Sequence, residues 1–226
     1  MTYTTDDIAG RIQHTEVTPT ADRERIDELC DECLEYGFDG AMVQPCWVPH
    51  VAERLADSEV TVCTAVGFPM GGDRPLTKAV AIRDAVAAGA EEIDVMPNIG
   101  FVRSGNDQAV REELETIVDA AGDATVKIML ELAALSPERR EFLTQAAVDA
   151  GFDYIKNSSG WGAGGKADVE TVSFLSEYAT PETKVKASGG IKTFEDAVEL
   201  LEAGAELLGA SSGVEIVTGE VGEGEY

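Results

Sequence analysis

The sequence predicts an α/β fold, a single-domain (β/α)8 TIM barrel, and three observations lead there. Eight short β-rich runs recur along 226 residues, amphipathic segments of helical length separate them, and glycine often stops a helix just before the next strand. Eight strand–helix units in a chain this long fit a closed barrel, whereas a doubly wound open sheet would usually have fewer strands.

The first strand is RIQHTEV (11–17). A charged helical stretch, ADRERIDELCDECLE, then leads through the glycine of EYGF to GAMVQ (40–44), and VTVCTAVGF (60–68) is the third strand. AAGA ends the helix before EEIDVMPN (91–98), and GNDQAVREELETIVDAAGD supplies the helix before ATVKIMLEL (124–132). DAGF stops the next helix at FDYIKN (152–157), KVKASG (184–189) follows, and EAGA introduces ELLGASS (206–212). Glycine suits these stops because it ends a helix at little steric cost. No linker or composition break divides the chain, so residues 1–218 are expected to form one barrel domain and 219–226 a flexible acidic tail. Tyr226, at the end of that tail, has two readings: a disordered chain end, or a proton-transfer group folded over the barrel mouth.

Charge is the strongest compositional signal. Seventeen Lys and Arg stand against 43 Asp and Glu, a net charge of −26. That disfavours nucleic acid and anionic membrane as partners, since both require local positive potential. The acidity lies on helix faces while the apolar periodicity stays intact, as in cytosolic proteins of salt-accumulating halophiles; an acidic protein-binding surface is the rival reading. No apolar run approaches the ~18 residues of a membrane helix, and the N-terminal stretch lacks signal-peptide features, so a soluble cytoplasmic protein is expected. Cys30 and Cys33 form a C-x-x-C inside a helical pattern without a second such motif, and they read as small apolar residues facing a core.

In a barrel, functional side chains belong at the C-terminal ends of strands and in the loops that follow. Three strand ends satisfy this filter. Lys156 closes the sixth strand, Lys186 lies on the seventh, and Asp94 lies on the fourth with Glu92, Met96 and Asn98 on the same side by alternation. Two ammonium groups on neighbouring strands push one lysine toward the neutral amine, the nucleophile that a Schiff base needs. A nearby aspartate keeps the other charged and relays protons. A structural ion pair would explain either lysine alone, and the pair shifts the reading toward catalysis. Lys127 and Glu131 share a parity on the fifth strand, either as electrostatic support for the site or as a plain ion pair. Glycine- and serine-rich turns after the seventh and eighth strands, with Gly189, Gly190, Ser211 and Ser212, fit a barrel phosphate site. NSSGWGAGG (157–165), containing Gly160, adds a third small-residue loop beside Lys156. His14 reads as a satisfied strand histidine or as a polar group at the mouth.

The segments YIKNSSGWGAGGKADVETVSFL, VKASGGIKTFEDAVELLEAGAELLGASSG and GAEEIDVMPNIGFVRSG, supported by IQHTEVTPTA and CTAVGFPMGG, resemble the deoxyribose-phosphate aldolases, class I aldolase barrels, over residues 11–218. The resemblance implies reversible cleavage of 2-deoxy-D-ribose 5-phosphate to acetaldehyde and D-glyceraldehyde 3-phosphate. It makes Lys156 the Schiff-base lysine, Lys186 the second lysine and Asp94 the catalytic aspartate, with the glycine and serine turns on the phosphate; the strand pattern adds Lys127, Glu131 and Asn98 as supporting candidates. The resemblance implies no metal and no cofactor, a phosphosugar and aldehydes as the partners, and a homo-oligomer, dimer or tetramer. Departures occur at Gln13, where an acidic residue is usual, and at Thr18, Gln44, Asn157 and Ser159, whose polar groups could still bond substrate hydroxyls. The rival functions are another Schiff-base sugar-phosphate aldolase with a longer donor, and a phosphosugar-binding barrel without turnover.

Overall fold

The computed structural model describes residues 3–161 and 165–222. Among them, eight strands run parallel in sequence order: β1 (Ile12–Glu16), β2 (Gly40–Val43), β3 (Thr61–Val66), β4 (Glu92–Val95), β5 (Thr125–Met129), β6 (Tyr154–Lys156), β7 (Lys184–Ser188) and β8 (Leu207–Ala210). β8 also pairs with β1, which closes the sheet into a barrel and excludes the open doubly wound alternative. The helices are α1 (Thr5–Ala9), α2 (Arg23–Tyr36), α3 (Val48–Leu55), α4 (Pro75–Ala87), α5 (Ile99–Arg103), α6 (Asp107–Ala121), α7 (Pro137–Ala150), α8 (Val169–Ser176), α9 (Phe194–Glu202) and α10 (Gly213–Thr218).

Alternation along each strand separates two cores. Outward residues such as Ile12, Val43, Val62, Ile93, Ile128, Ile155, Val185 and Leu208 pack against the helices in the main apolar core. A second, smaller cluster of Val17, Met42, Cys63, Ala65, Met96 and Met129 lies on the opposite parity, inside the barrel. Barrel interiors are usually filled by branched apolar side chains; here charged residues share the inner face. Three of the chain's seven lysines, Lys127, Lys156 and Lys186, are buried there, and a fourth, Lys78 on α4, is buried outside the barrel interior. Small residues leave room for them. A Cβ on Gly209 would stand 2.2 Å from Ser188 Oγ and 3.3 Å from Lys186 Cε.

Several strands end sooner than the sequence pattern suggests, each for a local reason. β4 stops at Val95 because Pro97 offers no N–H to the ladder and Asn98 caps α5, accepting from Phe101 N at 3.1 Å. β5 stops at Met129 because Glu131 adopts φ +50°, the left-handed region, and breaks the alternation. α1 lies before the first expected strand. It is set by a capping box between Thr4 and Asp7 and packs on α9 and α10 with Ile8 buried. After α10, Glu220 N–H bonds Glu215 O and Gly222 N–H bonds Lys192 O at 3.0 Å. Residues 223–226, including Tyr226, lie outside the described residues. Cys30 and Cys33 are buried on the inner side of α2, where burial raises both thiols, Cys30 to about 11. Glu24, Glu28, Asp31 and Glu35 on the same helix face solvent.

Candidate active site

The ladder between β6 and β7 sets Lys156 directly beside Lys186, and the ladder between β4 and β5 sets Asp94 beside Lys127. All four point inward, and the three lysines converge on the aspartate. Lys156 Nζ lies 2.9 Å and Lys186 Nζ 2.8 Å from the same atom, Asp94 Oδ2. Lys127 Nζ approaches Asp94 Oδ1 at 3.5 Å and makes a short charge-assisted bond to Glu92. One carboxylate oxygen thus faces two lysines, and all three side chains are buried.

The electrostatics follow from this arrangement. Burial would raise the Asp94 carboxyl, but Lys156, Lys186 and Lys127 overcome it and hold Asp94 well below the usual carboxylate range. Burial lowers Lys186 to about 8; Lys156 and Lys127 push it the same way and Asp94 opposes them. Lys127 moves upward, because Asp94 and Glu92 outweigh its burial. Lys127 on β5 is thus held as a cation, while Lys186 on β7 is placed to exchange its proton near neutral pH.

Beyond the lysines, Asn157 clamps β6 to β7. Its Nδ2 donates to Ser188 O at 3.0 Å and its Oδ1 accepts from Ser188 N at 2.8 Å, extending the pairing past Lys156. Gly189 (φ +99°) and Gly190 (φ +72°) then turn the chain, and Gly160 (φ +74°) turns the loop after β6. The two turns touch, since a Cβ on Gly189 would meet Gly165 O at 2.9 Å and Gly160 Cα at 3.3 Å. Ser212 is buried and starts α10 without a side-chain cap, whereas α9 is closed by its own Thr193–Asp196 capping box. Glycine turns and helix starts therefore gather after β6, β7 and β8, on the side of the barrel that carries Lys156 and Lys186.

A family model described as DeoC/LacD family aldolase matches residues 11–219. The chain belongs to this aldolase family. It is 41% identical over 97% of its length to the whole of a deoxyribose-phosphate aldolase from Staphylococcus carnosus. Among solved structures, a putative deoxyribose-phosphate aldolase from Coccidioides immitis superposes with a TM-score of 0.92 at 35% identity, covering 96% of this chain and 86% of that one. A deoxyribose phosphate aldolase from Aeropyrum pernix, described as having a unique tetrameric structure, gives 0.88 at 33% identity over 95% and 91% of the two chains.

Within this aldolase fold the sequence-derived residues separate into two groups. Lys156, Lys186, Asp94 and Lys127 meet in one network, and Gly160, Gly189 and Gly190 meet in another. The expected pairing of Lys127 with Glu131 does not occur. The left-handed backbone at Glu131 takes it off the strand face; its Oε1 accepts from Ser159 N at 3.3 Å, while Lys127 pairs with Glu92 and Asp94. Asn98 sits in the loop after β4 as a helix cap, and its own N–H donates to Glu113 at 2.9 Å. Gln13, Asn157 and Gln44 spend their amides on protein partners, the last on Val17 O at 2.8 Å. His14 faces outward, away from the barrel mouth; Nε2 lies 2.9 Å from Glu32 Oε2, but the buried Nδ1 has no hydrogen-bond partner among the described residues, so the ring is only half satisfied.

Three features escaped the sequence reading. Glu92 is the main partner of Lys127; its signal was the shared parity with Asp94. Gln13 links Lys186 to Asp39 and Glu92. Lys78, wholly buried, bonds Glu113 at 2.7 Å together with Gly71 O and Met96 O, and so ties the loops after β3 and β4 to α4 and α6. Nothing in the spacing of Lys78 and Glu113 announces that contact. Among the described residues no helix is long and apolar enough to cross a membrane.

Proposed function

We propose that this aldolase cleaves 2-deoxy-D-ribose 5-phosphate reversibly into acetaldehyde and D-glyceraldehyde 3-phosphate through a Schiff base on Lys156. The observation that carries the reading is the pair Lys156 and Lys186 bonded to one oxygen of Asp94, beside the glycine turns after β6 and β7. The names of the curated relatives agree with it.

In this mechanism the neutral amine of Lys156 adds to C1 of the open-chain sugar, and the carbinolamine loses water to give an iminium. The iminium draws the electron pair of the C2–C3 bond as the C3 hydroxyl gives up its proton, releasing D-glyceraldehyde 3-phosphate and leaving an enamine. Protonation at C2 and hydrolysis return acetaldehyde and the free lysine. Lys186 and Asp94 move the protons. The iminium is the electron sink, so the chemistry calls for neither metal nor organic cofactor. Gly160, Gly189, Gly190, Ser211 and Ser212 bind the phosphate.

The protein works as a homo-oligomer in a salt-rich cytoplasm, a reading supported by the charge of −26 and by the tetrameric relative. Turnover tests the function. Deoxyribose 5-phosphate should yield acetaldehyde and glyceraldehyde 3-phosphate in equal amounts, faster than sugars cleaved to a longer donor. Preference for the longer donors would favour the rival aldolase. Phosphosugar binding without products would favour a binding barrel.

A further inference from the structure

Gln13 lies on β1 with no exposed surface, and every polar atom of its amide is engaged. Nε2 donates to Asp39 Oδ2 at 2.9 Å and to Glu92 Oε2 at 2.6 Å, while Oε1 accepts from Lys186 Nζ at 2.6 Å. The partners fix this orientation. Carboxylates accept and an ammonium donates, so a flipped amide would set oxygen against oxygen and N–H against N–H.

Lys186 therefore has two fixed acceptors, Gln13 Oε1 and Asp94 Oδ2. A neutral amine has two N–H bonds and one lone pair. Both hydrogen bonds survive when the third proton leaves, so Lys186 can release and retake a proton without any partner moving. The groups facing this assembly are Asp39 from the turn before β2, Cys63 on β3, Glu92 and Asp94 on β4, Lys127 on β5 and Lys156 on β6. Glu92 is taken by Lys127 and by the Gln13 amide, so Asp94 is the carboxylate that bonds Lys186 itself.

We propose that Gln13 is a positioning residue that makes Lys186 the proton acceptor of the lysine pair: it holds the amine with a neutral oxygen and keeps a second full negative charge off it. Its part in turnover rests on the Schiff-base reading above; its effect on Lys186 does not. An acid at this position would bind Lys186 as a cation, and an apolar residue would let the amine drift from Asp94.

Gln13→Glu and Gln13→Met test the proposal, each measured for unfolding stability and for kcat/KM from pH 6 to 11. Lys186 gives up its proton near pH 8 in the folded protein and at about 10.4 when unfolded. The unfolded state therefore binds more protons between those values, and stability rises with pH across that window. Gln13→Glu should flatten this rise, because an opposite charge in contact moves a lysine upward by about 1–3 units. The alkaline-favoured limb of kcat/KM should move up by at least about one unit, roughly a tenfold loss at neutral pH. Gln13→Met should move the limb down, and it covers the case in which Asp39 and Glu92 keep the introduced acid neutral. The proposal is overturned if both variants fold and superimpose on the native protein in both pH profiles. Shifted stability curves in a native protein without aldolase turnover would uphold the role of Gln13 and sink the functional reading. Turnover with unshifted curves would do the reverse.

Discussion

Replacing Lys186 with methionine should move the pH at which Lys156 can form an imine. The two nitrogens bond the same Asp94 oxygen at 2.9 and 2.8 Å, which sets them roughly 5 Å apart for ordinary hydrogen-bond angles. At an effective dielectric near 20, two unit charges at that separation repel by about 3 kcal/mol. That corresponds to about 2 pH units. Removing Lys186 deletes the repulsion and leaves Asp94 more fully to Lys156, so both changes favour the Lys156 cation. Single-turnover borohydride trapping, followed from pH 6 to 11, should show its midpoint displaced upward by about two units. The plateau also falls because a proton carrier is lost, so the midpoint is the diagnostic quantity. A uniformly slower reaction with an unmoved midpoint would refute the charge argument and leave Lys186 as a proton carrier alone.

Other perturbations probe separate parts of the molecule. Lys78→Met strands the buried Glu113 carboxylate and should cost about 3–5 kcal/mol in urea unfolding. Adding Glu113→Leu should recover much of that loss; a single-variant loss under about 1 kcal/mol would contradict the pairing. Gly189→Ala forces φ +99° on a residue with a Cβ and drives that Cβ to 2.9 Å from Gly165 O. Strain of about 1–3 kcal/mol at this turn should raise KM for the phosphorylated sugar roughly tenfold. KM for unphosphorylated deoxyribose should change much less, and equal changes for both sugars would remove the turn from the phosphate site. With a charge of −26, thermal stability and activity should rise from dilute buffer to molar KCl as the Debye length shrinks to about 3 Å. A maximum in dilute buffer would count against a halophilic surface.

How far the sequence could be read depended on how local each feature is. The eight strands and their glycine stops are local signals. Gly37, Gly151 and Gly204 do take positive φ at the ends of α2, α7 and α9. Lys156, Lys186 and Asp94 were legible because parity and strand order suffice to aim them into one barrel. Glu131 was misjudged because parity holds only while the strand continues, and a left-handed residue ends it there. The network joining Gln13, Asp39, Glu92 and Lys127 spans four segments. Its contacts depend on barrel closure and stagger, which a one-dimensional pattern does not carry. The Lys78–Glu113 pair is hidden for the same reason, since it joins two helices across the loops they support. α1 is too short for its periodicity to be seen, although Thr4 and Asp7 have capping-box spacing.

Borohydride reduction in the presence of deoxyribose 5-phosphate at high salt, followed by peptide mass mapping, tests the central claim most directly. One reduced adduct is expected, on Lys156, and none on Lys127, which Glu92 engages, or on Lys78, which lies on α4 outside the barrel interior and bonds Glu113. A folded protein that binds the sugar phosphate yet carries no adduct on Lys156 would contradict it and leave the Lys156–Asp94 contact as a structural ion pair.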